Sequence, residues 1–166
     1  MAPHETVSSG RQSDRQWEVE KLVRAAYSVR ERASVPLSRF RVGAAVLTKS
    51  GKIFEGCNTE SLIPLLGVCA ERNAINHALI HGETEFLAVA VVSDLHATLL
   101  PCGACLQYIQ EFARQTGRDI LIIAEGRSGE RLVTSLEELF KGGIPAETSP
   151  RDIQESFRWS FVEDDS

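Results

Sequence analysis

The chain has 166 residues, 43% of them hydrophobic and 25% charged, enough for one ordinary domain with a real core. Its net charge is −5 and its pI about 5.4. Proteins that grip polynucleotide usually carry a basic face, so no nucleic-acid partner is expected and a small substrate is favoured. No apolar run is long enough to span a bilayer, and Met1 to Ser13 lacks the apolar stretch of a secretory signal, so a cytoplasmic protein without membrane contact is expected.

Residues 1–13 read as a flexible tail rich in Ser, Gly and charge. Asp14 can cap a helix starting near Arg15, in which Trp17, Leu22, Ala25, Ala26 and Val29 recur close to helical spacing before Pro36. Val42 to Lys49 and Lys52 to Cys57 read as a hairpin turned at Ser50-Gly51. The small Gly43, Ala44 and Ala45 predict close approach by a helix or a ligand. Thr59 to Gly67 is a loop carrying Pro64, and Cys69 to about His81 is a helix with Ala70, Ala74 and Ala78 on one face. Phe86 to Ser93 is almost continuously apolar, as in a strand covered on both faces. A second buried helix runs from Cys102 to about Thr116, ended by Gly117. Asp119 to Glu125 is another buried strand, Arg131 to Thr134 an edge strand, and Ser135 with Glu138 opens a short helix. This order predicts a mixed sheet between helices.

The chemistry concentrates in two stretches, Cys69-Ala70-Glu71-Arg72 and Pro101-Cys102-Gly103-Ala104-Cys105. Cys69, Cys102 and Cys105 supply the three protein ligands that a catalytic zinc keeps beside a water. Cys102 and Cys105 are one helical turn apart and point at one spot. Both stretches open helices, whose positive N-terminal ends favour thiolates. Glu71 shares a first turn with Cys69 and can serve as the base that moves the water's proton. The plainer alternatives are buried structural cysteines, a redox dithiol, or a Glu that merely complements the helix dipole. A Cys-x-x-Cys pair alone would fit them; adding Cys69 and Glu71 does not. Without a signal peptide, four cysteines point to metal in a reducing compartment and not to disulfides.

This constellation resembles the zinc-dependent cytidine deaminases, specifically the small type with three cysteines, over roughly residues 38–144. Flanking matches are Phe40 to Ala45, Gly56-Cys57-Asn58-Thr59-Glu60, Ser93-Asp94 and Gln107. The resemblance implies a three-layer α/β/α sandwich around a mixed five-stranded sheet. It implies zinc on Cys69, Cys102 and Cys105, with Arg72 donating hydrogen bonds to ligand sulfur. It makes Glu71 the proton shuttle, taking a proton from the metal-activated water, passing it to ring N3, and later protonating the departing amine. Asn58 and Glu60 fall where the family binds sugar hydroxyls, Phe40 where it packs an aromatic beside the base, and Ala70 among the substrate-binding positions. For Asn58, Glu60 and Phe40 the plainer readings are a strand-end Asn, a solvated Glu and an ordinary core ring. Cys57 reads as a small buried residue.

The resemblance therefore implies an enzyme of pyrimidine nucleoside salvage that hydrolyses cytidine or deoxycytidine to the uridine and ammonia, as a homotetramer. Two departures bear on the substrate: Pro64 stands where the family commonly has Tyr, and Ile144 where it tends to have Phe. They keep open a related amino-heterocycle, such as a cytosine-containing antibiotic nucleoside or a modified base. A non-catalytic zinc-stabilised binding module is the rival from another class. Leu106 also replaces a usual Arg. His77 and His81 lie at i and i+4 but lack the Glu of protease zinc helices, and read as exposed helix residues. The organisation expected is a tail over 1–13, a catalytic domain over 14–144, and an extension over 145–166. In that extension Ser149-Pro150-Arg151-Asp152 signals a helix start, followed by Ile153, Phe157, Trp159 and Phe161 and the acidic Glu163-Asp164-Asp165. The extension is expected to dock on the body, with a ring near an active-site mouth or on the back of the sheet.

Overall fold

The structure, a computed structural model, describes residues 9–141, with side chains from Glu18 onward. In chain order it contains α1 (Ser9–Arg30), β1 (Val42–Thr48), β2 (Ile53–Cys57), a 3-10 turn (Pro64–Leu66), α2 (Ala70–Ile80), β3 (Phe86–Ser93), α3 (Gly103–Thr116), β4 (Leu121–Glu125), β5 (Arg131–Ser135) and α4 (Leu136–Leu139). The sheet order is β2-β1-β3-β4-β5, with β3 and β4 parallel and every other pair antiparallel. This is the mixed five-stranded α/β/α architecture.

Alternation along β3 explains the layers. Ala88, Ala90 and Val92 point to one face, where Leu22, Val23 and Ala26 of α1 cover them. Val89 and Val91 point to the other, against Ala74, Ile75 and Ala78 of α2 and Ile109 and Phe112 of α3. Successive strand residues face opposite ways, so a strand covered on both faces must be apolar at nearly every position.

Two contacts set the spacing of the layers. A Cβ on Gly43 would lie 2.1 Å from the Ala26 carbonyl of α1, and one on Gly56 would lie 2.2 Å from the Ala74 nitrogen of α2. The small residues of β1 and β2 thus answer to helices, with backbone lying directly on backbone.

Three boundaries differ from the sequence expectation. α1 begins at Ser9 and not near Arg15, so Asp14 lies within the helix and does not cap it. Extending a nucleated helix adds one hydrogen bond per residue fixed, so the weak propensities of Ser9 to Ser13 do not stop it. Cys69 and Cys102 are not first helical residues but the N-caps of α2 and α3. The 59–67 loop has its own fastening: Thr59 and Val68 exchange both backbone hydrogen bonds, at 3.0 Å each, closing its base. The short α4 opens as its sequence signals, with Ser135 Oγ accepting from the Glu138 N–H at 3.1 Å. The extension 145–166 and Ile144 lie outside the described residues.

Candidate active site

The topology brings the chemistry-bearing segments to one end of the sheet. β1 runs antiparallel to β3 and β2, so Val42 faces Ser93 and Gly43 faces Cys57. The start of β1, the end of β2 and the carboxyl end of β3 therefore lie together. α2 and α3 both begin there, where ligands of open α/β sheets generally bind.

Cys69 and Cys102 hold nearly the same extended backbone, φ −69 and ψ 153 for one and φ −68 and ψ 163 for the other. Each caps a helix, so two positive helix ends converge on the sulfurs. The Cys69–Cys102 sulfur distance is 4.0 Å and the Cys102–Cys105 distance 3.6 Å. All three sulfurs lie within 4.8 Å of one another. Sulfurs on a tetrahedral zinc at about 2.3 Å stand roughly 3.8 Å apart, so this donor set fits zinc in both chemistry and spacing. Cys105 is buried, Cys69 half-buried and Cys102 exposed, which leaves one side of the trio facing solvent. Cys57 stands outside the trio, and its burial raises its thiol pKa.

The thiols share their protons unequally. Cys69 is lowered to about 5, chiefly by a hydrogen bond from Cys105, with further help from Arg72 and Cys102. Cys105, as donor to that thiolate and buried besides, is pushed upward. Metal binding takes these sulfurs as thiolates and so releases protons from the site. Arg72 Nη2 lies 4.0 Å from Cys69 Sγ, placing a guanidinium against the negative sulfur.

Glu71 occupies the first turn of α2 and is only 4% exposed. Burial raises its pKa, and the Cys69 charge pushes the same way; a hydrogen bond from its own backbone N–H, one with Cys105 and the Arg72 charge oppose this without cancelling it. A buried carboxyl held above the usual carboxylate range beside a thiol cluster is suited to take up a proton and hand it on.

The Asn58 edge is built differently. Asn58 Oδ1 accepts from the Val42 N–H at 2.8 Å, and its Nδ2 donates to the Phe40 carbonyl at 3.0 Å. Glu60 Oε2 accepts from the Leu37 and Ser38 N–H groups at 2.9 and 3.1 Å. Hydrogen bonds from Ser38, with the Leu37 N–H adding to them, hold this carboxyl below the usual range. Both side chains therefore tie down the 37–42 segment. Phe40 is half-buried against the core, and Ala70 is fully buried at the start of α2.

Sequence reasoning missed the Leu37-Ser38 turn that Glu60 grips, and Asn73, whose Nδ2 donates 2.8 Å to the Cys57 carbonyl and fixes β2's end to α2. A polar Asn one turn after Cys69 was the available signal for the second. Asp94 accepts from the Arg41 backbone N–H and Nε at 3.0 and 3.1 Å, fastening the start of β1 to the end of β3. Arg41 also pairs with Glu31. Pro64 opens the 3-10 turn in a loop where Leu62, Ile63, Leu65 and Leu66 are all strongly exposed. His77 and His81 are exposed and bonded to the carbonyls of Glu55 and His77, the first ring edge-on to Phe54 and the second tilted against it. Leu106 is buried in the core. No helix among the described residues is long and apolar enough to cross a membrane.

Comparison with known proteins points the same way as this geometry. Residues 16–117 match the family model described as the cytidine and deoxycytidylate deaminase zinc-binding region. A cytidine deaminase of Sporosarcina psychrophila is 41% identical over 119 residues, covering 72% of this chain and 88% of that protein. One from Halalkalibacterium halodurans is 37% identical over 126 residues, covering 76% and 93%. Among solved structures, cytidine deaminase from Burkholderia pseudomallei superposes with a TM-score of 0.70 at 38% identity, covering 75% of this chain and 98% of that one.

Proposed function

We propose, from the premise that this chain belongs to the cytidine and deoxycytidylate deaminase family, that it is a zinc-dependent aminohydrolase converting cytidine or deoxycytidine to the corresponding uridine and ammonia. The observation that carries this reading is the trio of Cys69, Cys102 and Cys105 with Glu71 buried in the first turn between them and the core. Zinc on those sulfurs supplies Lewis-acid activation of a water.

The chain's own residues do the rest. Glu71 accepts the first proton of the attacking water and hands it to ring N3, which makes the neighbouring carbon electrophilic. The water oxygen bonds to that carbon. Glu71 then takes the second proton to the amine, the carbon–nitrogen bond breaks, and ammonia leaves while the oxygen stays on the ring. Burial suits Glu71 to this cycle, because a raised pKa lets one carboxyl act as base and then as acid. Arg72 offsets the charge that three thiolates accumulate. Phe40 and Ala70 would bound the base. Asn58 and Glu60 would meet the sugar hydroxyls with the hydrogen-bonding capacity that their backbone contacts leave over, since an amide oxygen and a carboxylate each accept more than once.

A related amino-heterocycle is the second reading, favoured by the 61–66 loop, where Pro64 sits among exposed aliphatic side chains and presents no aromatic ring. That exposed run, with Leu37 also exposed, supports a homo-oligomer, a tetramer in this proposal. The acidic balance supports a small-molecule substrate and no nucleic-acid partner, and cysteines used for metal fit a reducing compartment, the cytoplasm in this proposal. The catalytic unit is placed at residues 14–144, followed by the extension 145–166.

The deciding experiment incubates the protein with cytidine, deoxycytidine, cytosine and a panel of other amino-heterocycles, assaying ammonia and zinc content together. Release from the two cytidines by zinc-loaded protein is expected. Release from another heterocycle alone would replace the substrate assignment, and zinc without any turnover would favour the binding-module alternative.

A further inference from the structure

The sheet's other end carries a surface that the deamination chemistry does not use. There α3 and α4 enclose a groove of about 510 Å³. Its apolar lining is Ala113 and Phe140, both half-buried, above the buried Leu136. Its rim carries Arg114, Arg118 and Lys141. Among the described residues, none of these three side chains has a hydrogen-bond or ion-pair partner. Of the two rim acids, Asp119 already accepts from the Ile120 and Glu137 N–H groups at 2.8 and 3.0 Å, leaving Glu137 as the other negative group. The groove is therefore apolar below and positive above, with its cations unanswered.

The described chain ends at Lys141, in the wall of this groove. The remaining C-terminal residues have the complementary composition. Ile153 and Phe157 are spaced i and i+4, Trp159 and Phe161 come next, and acids outnumber bases, with Glu163, Asp164 and Asp165 together near the end. The residues between Lys141 and Ile153 span up to roughly 40 Å if extended, ample to turn back. A groove of this volume falls within the range of about 300–1,000 Å³ that holds a small ligand, and so accepts one or two aromatic side chains.

We propose that residues 153–165 dock in the α3/α4 groove of their own chain, the rings on Ala113, Leu136 and Phe140, the acidic end on Arg114, Arg118 and Lys141. Such docking makes the extension a clasp on the body and not a lid on its own active site. The groove adjoins the Thr116 end of α3, whereas Cys102 and Cys105 lie at its start, roughly 20 Å away along a helix of this length.

Two measurements on the full chain test this. Replacing Trp159 by p-benzoylphenylalanine and irradiating should yield a cross-link to residues 110–118 or 136–141 at monomer mass. A cross-link to the same groove between two chains would overturn the same-chain assignment. One to the 61–66 loop or the cysteine stretches, or none at all, would overturn the groove itself. Independently, Trp17→Phe leaves Trp159 as the one indole, whose emission should be blue-shifted and shielded from acrylamide. Adding Arg114→Glu and Arg118→Glu should red-shift it and restore quenching. Emission already red-shifted in the parent, or unmoved by the charge reversal, counts against the proposal.

Discussion

The sulfur corner and the Asn58 edge lie at the same end of the sheet and differ in what their polar groups already hold. At the corner, the sulfurs of Cys69, Cys102 and Cys105 meet one another, Arg72 and Glu71, and among the described residues no backbone group is hydrogen-bonded to these sulfurs. At the edge, Asn58 and Glu60 each take two backbone hydrogen bonds. A corner whose donors have only each other is organised for a ligand from outside. An edge whose donors and acceptors grip the chain is scaffold first, and contacts substrate with whatever capacity remains. The two regions should therefore fail differently when mutated.

The largest effect should come from the corner. Cys105→Ala removes the buried sulfur, and we expect zinc content and turnover both to fall to background, checked by metal analysis beside an ammonia assay. Glu71→Gln should retain zinc and fold while losing at least ~10²-fold in kcat, the usual worth of a positioned acid–base group. Turnover near wild type in that variant would falsify the shuttle. Arg72→Gln should weaken zinc roughly 10- to 100-fold in a chelator competition, the typical cost of losing a group that supports a ligand.

At the edge the pattern should invert. Asn58→Ala strands the Val42 N–H and the Phe40 carbonyl, so denaturant unfolding should show a loss of about 1–3 kcal/mol, and turnover should fall for free bases and, through the lost sugar contact, further for nucleosides. A variant of full stability that discriminates only against nucleosides would make Asn58 a sugar ligand with no scaffolding role. The smallest effect should be at Asp94, which bridges the two strands leading into both regions. Burial pushes its carboxyl up, but hydrogen bonds from Arg41 and the charges of Arg41 and Arg30 outweigh this and hold it down. A depressed pKa adds stability above the unfolded value near ~3.9, and that stability is lost as pH falls through the folded one. Asp94→Asn should thus cost at most about 1 kcal/mol at pH 7, with the gap to wild type closing in acid. A gap that is constant with pH would assign Asp94 to packing.

Legibility in the sequence tracks how local each signal is. The unbroken apolar run of β3, the alternation hidden in it, and the Ser135 cap are set by neighbours along the chain, and their bounds came out close. The sulfur trio was legible because three thiols and a carboxylate in two helix starts leave few other uses. The start of α1 was not, because weak formers were carried along by a helix already anchored at Leu22, Val23 and Ala26. Nor was the double duty of Glu60, whose backbone partners lie more than twenty residues earlier and leave no local trace. The backbone conformation of Cys69 and Cys102 escaped for a related reason: cysteine is no usual N-cap, and neither makes a side-chain capping bond.

Gly56 gives this arrangement its ruler. The strand that ends at Cys57, just before Asn58, touches the helix that begins at Ala70 through bare backbone, with Ala74 nitrogen and Ala70 carbonyl where a methyl would sit. The interval between sulfur corner and Asn58 edge is consequently fixed at its shortest value, and no exchange of one core side chain for a slightly larger or smaller one can tune it by fractions of an ångström. A lineage of such proteins adapting to a bulkier substrate would have to leave this distance alone. It would make its adjustments in the 61–66 loop, which the Thr59–Val68 pair fastens at its base and whose aliphatic side chains stand exposed.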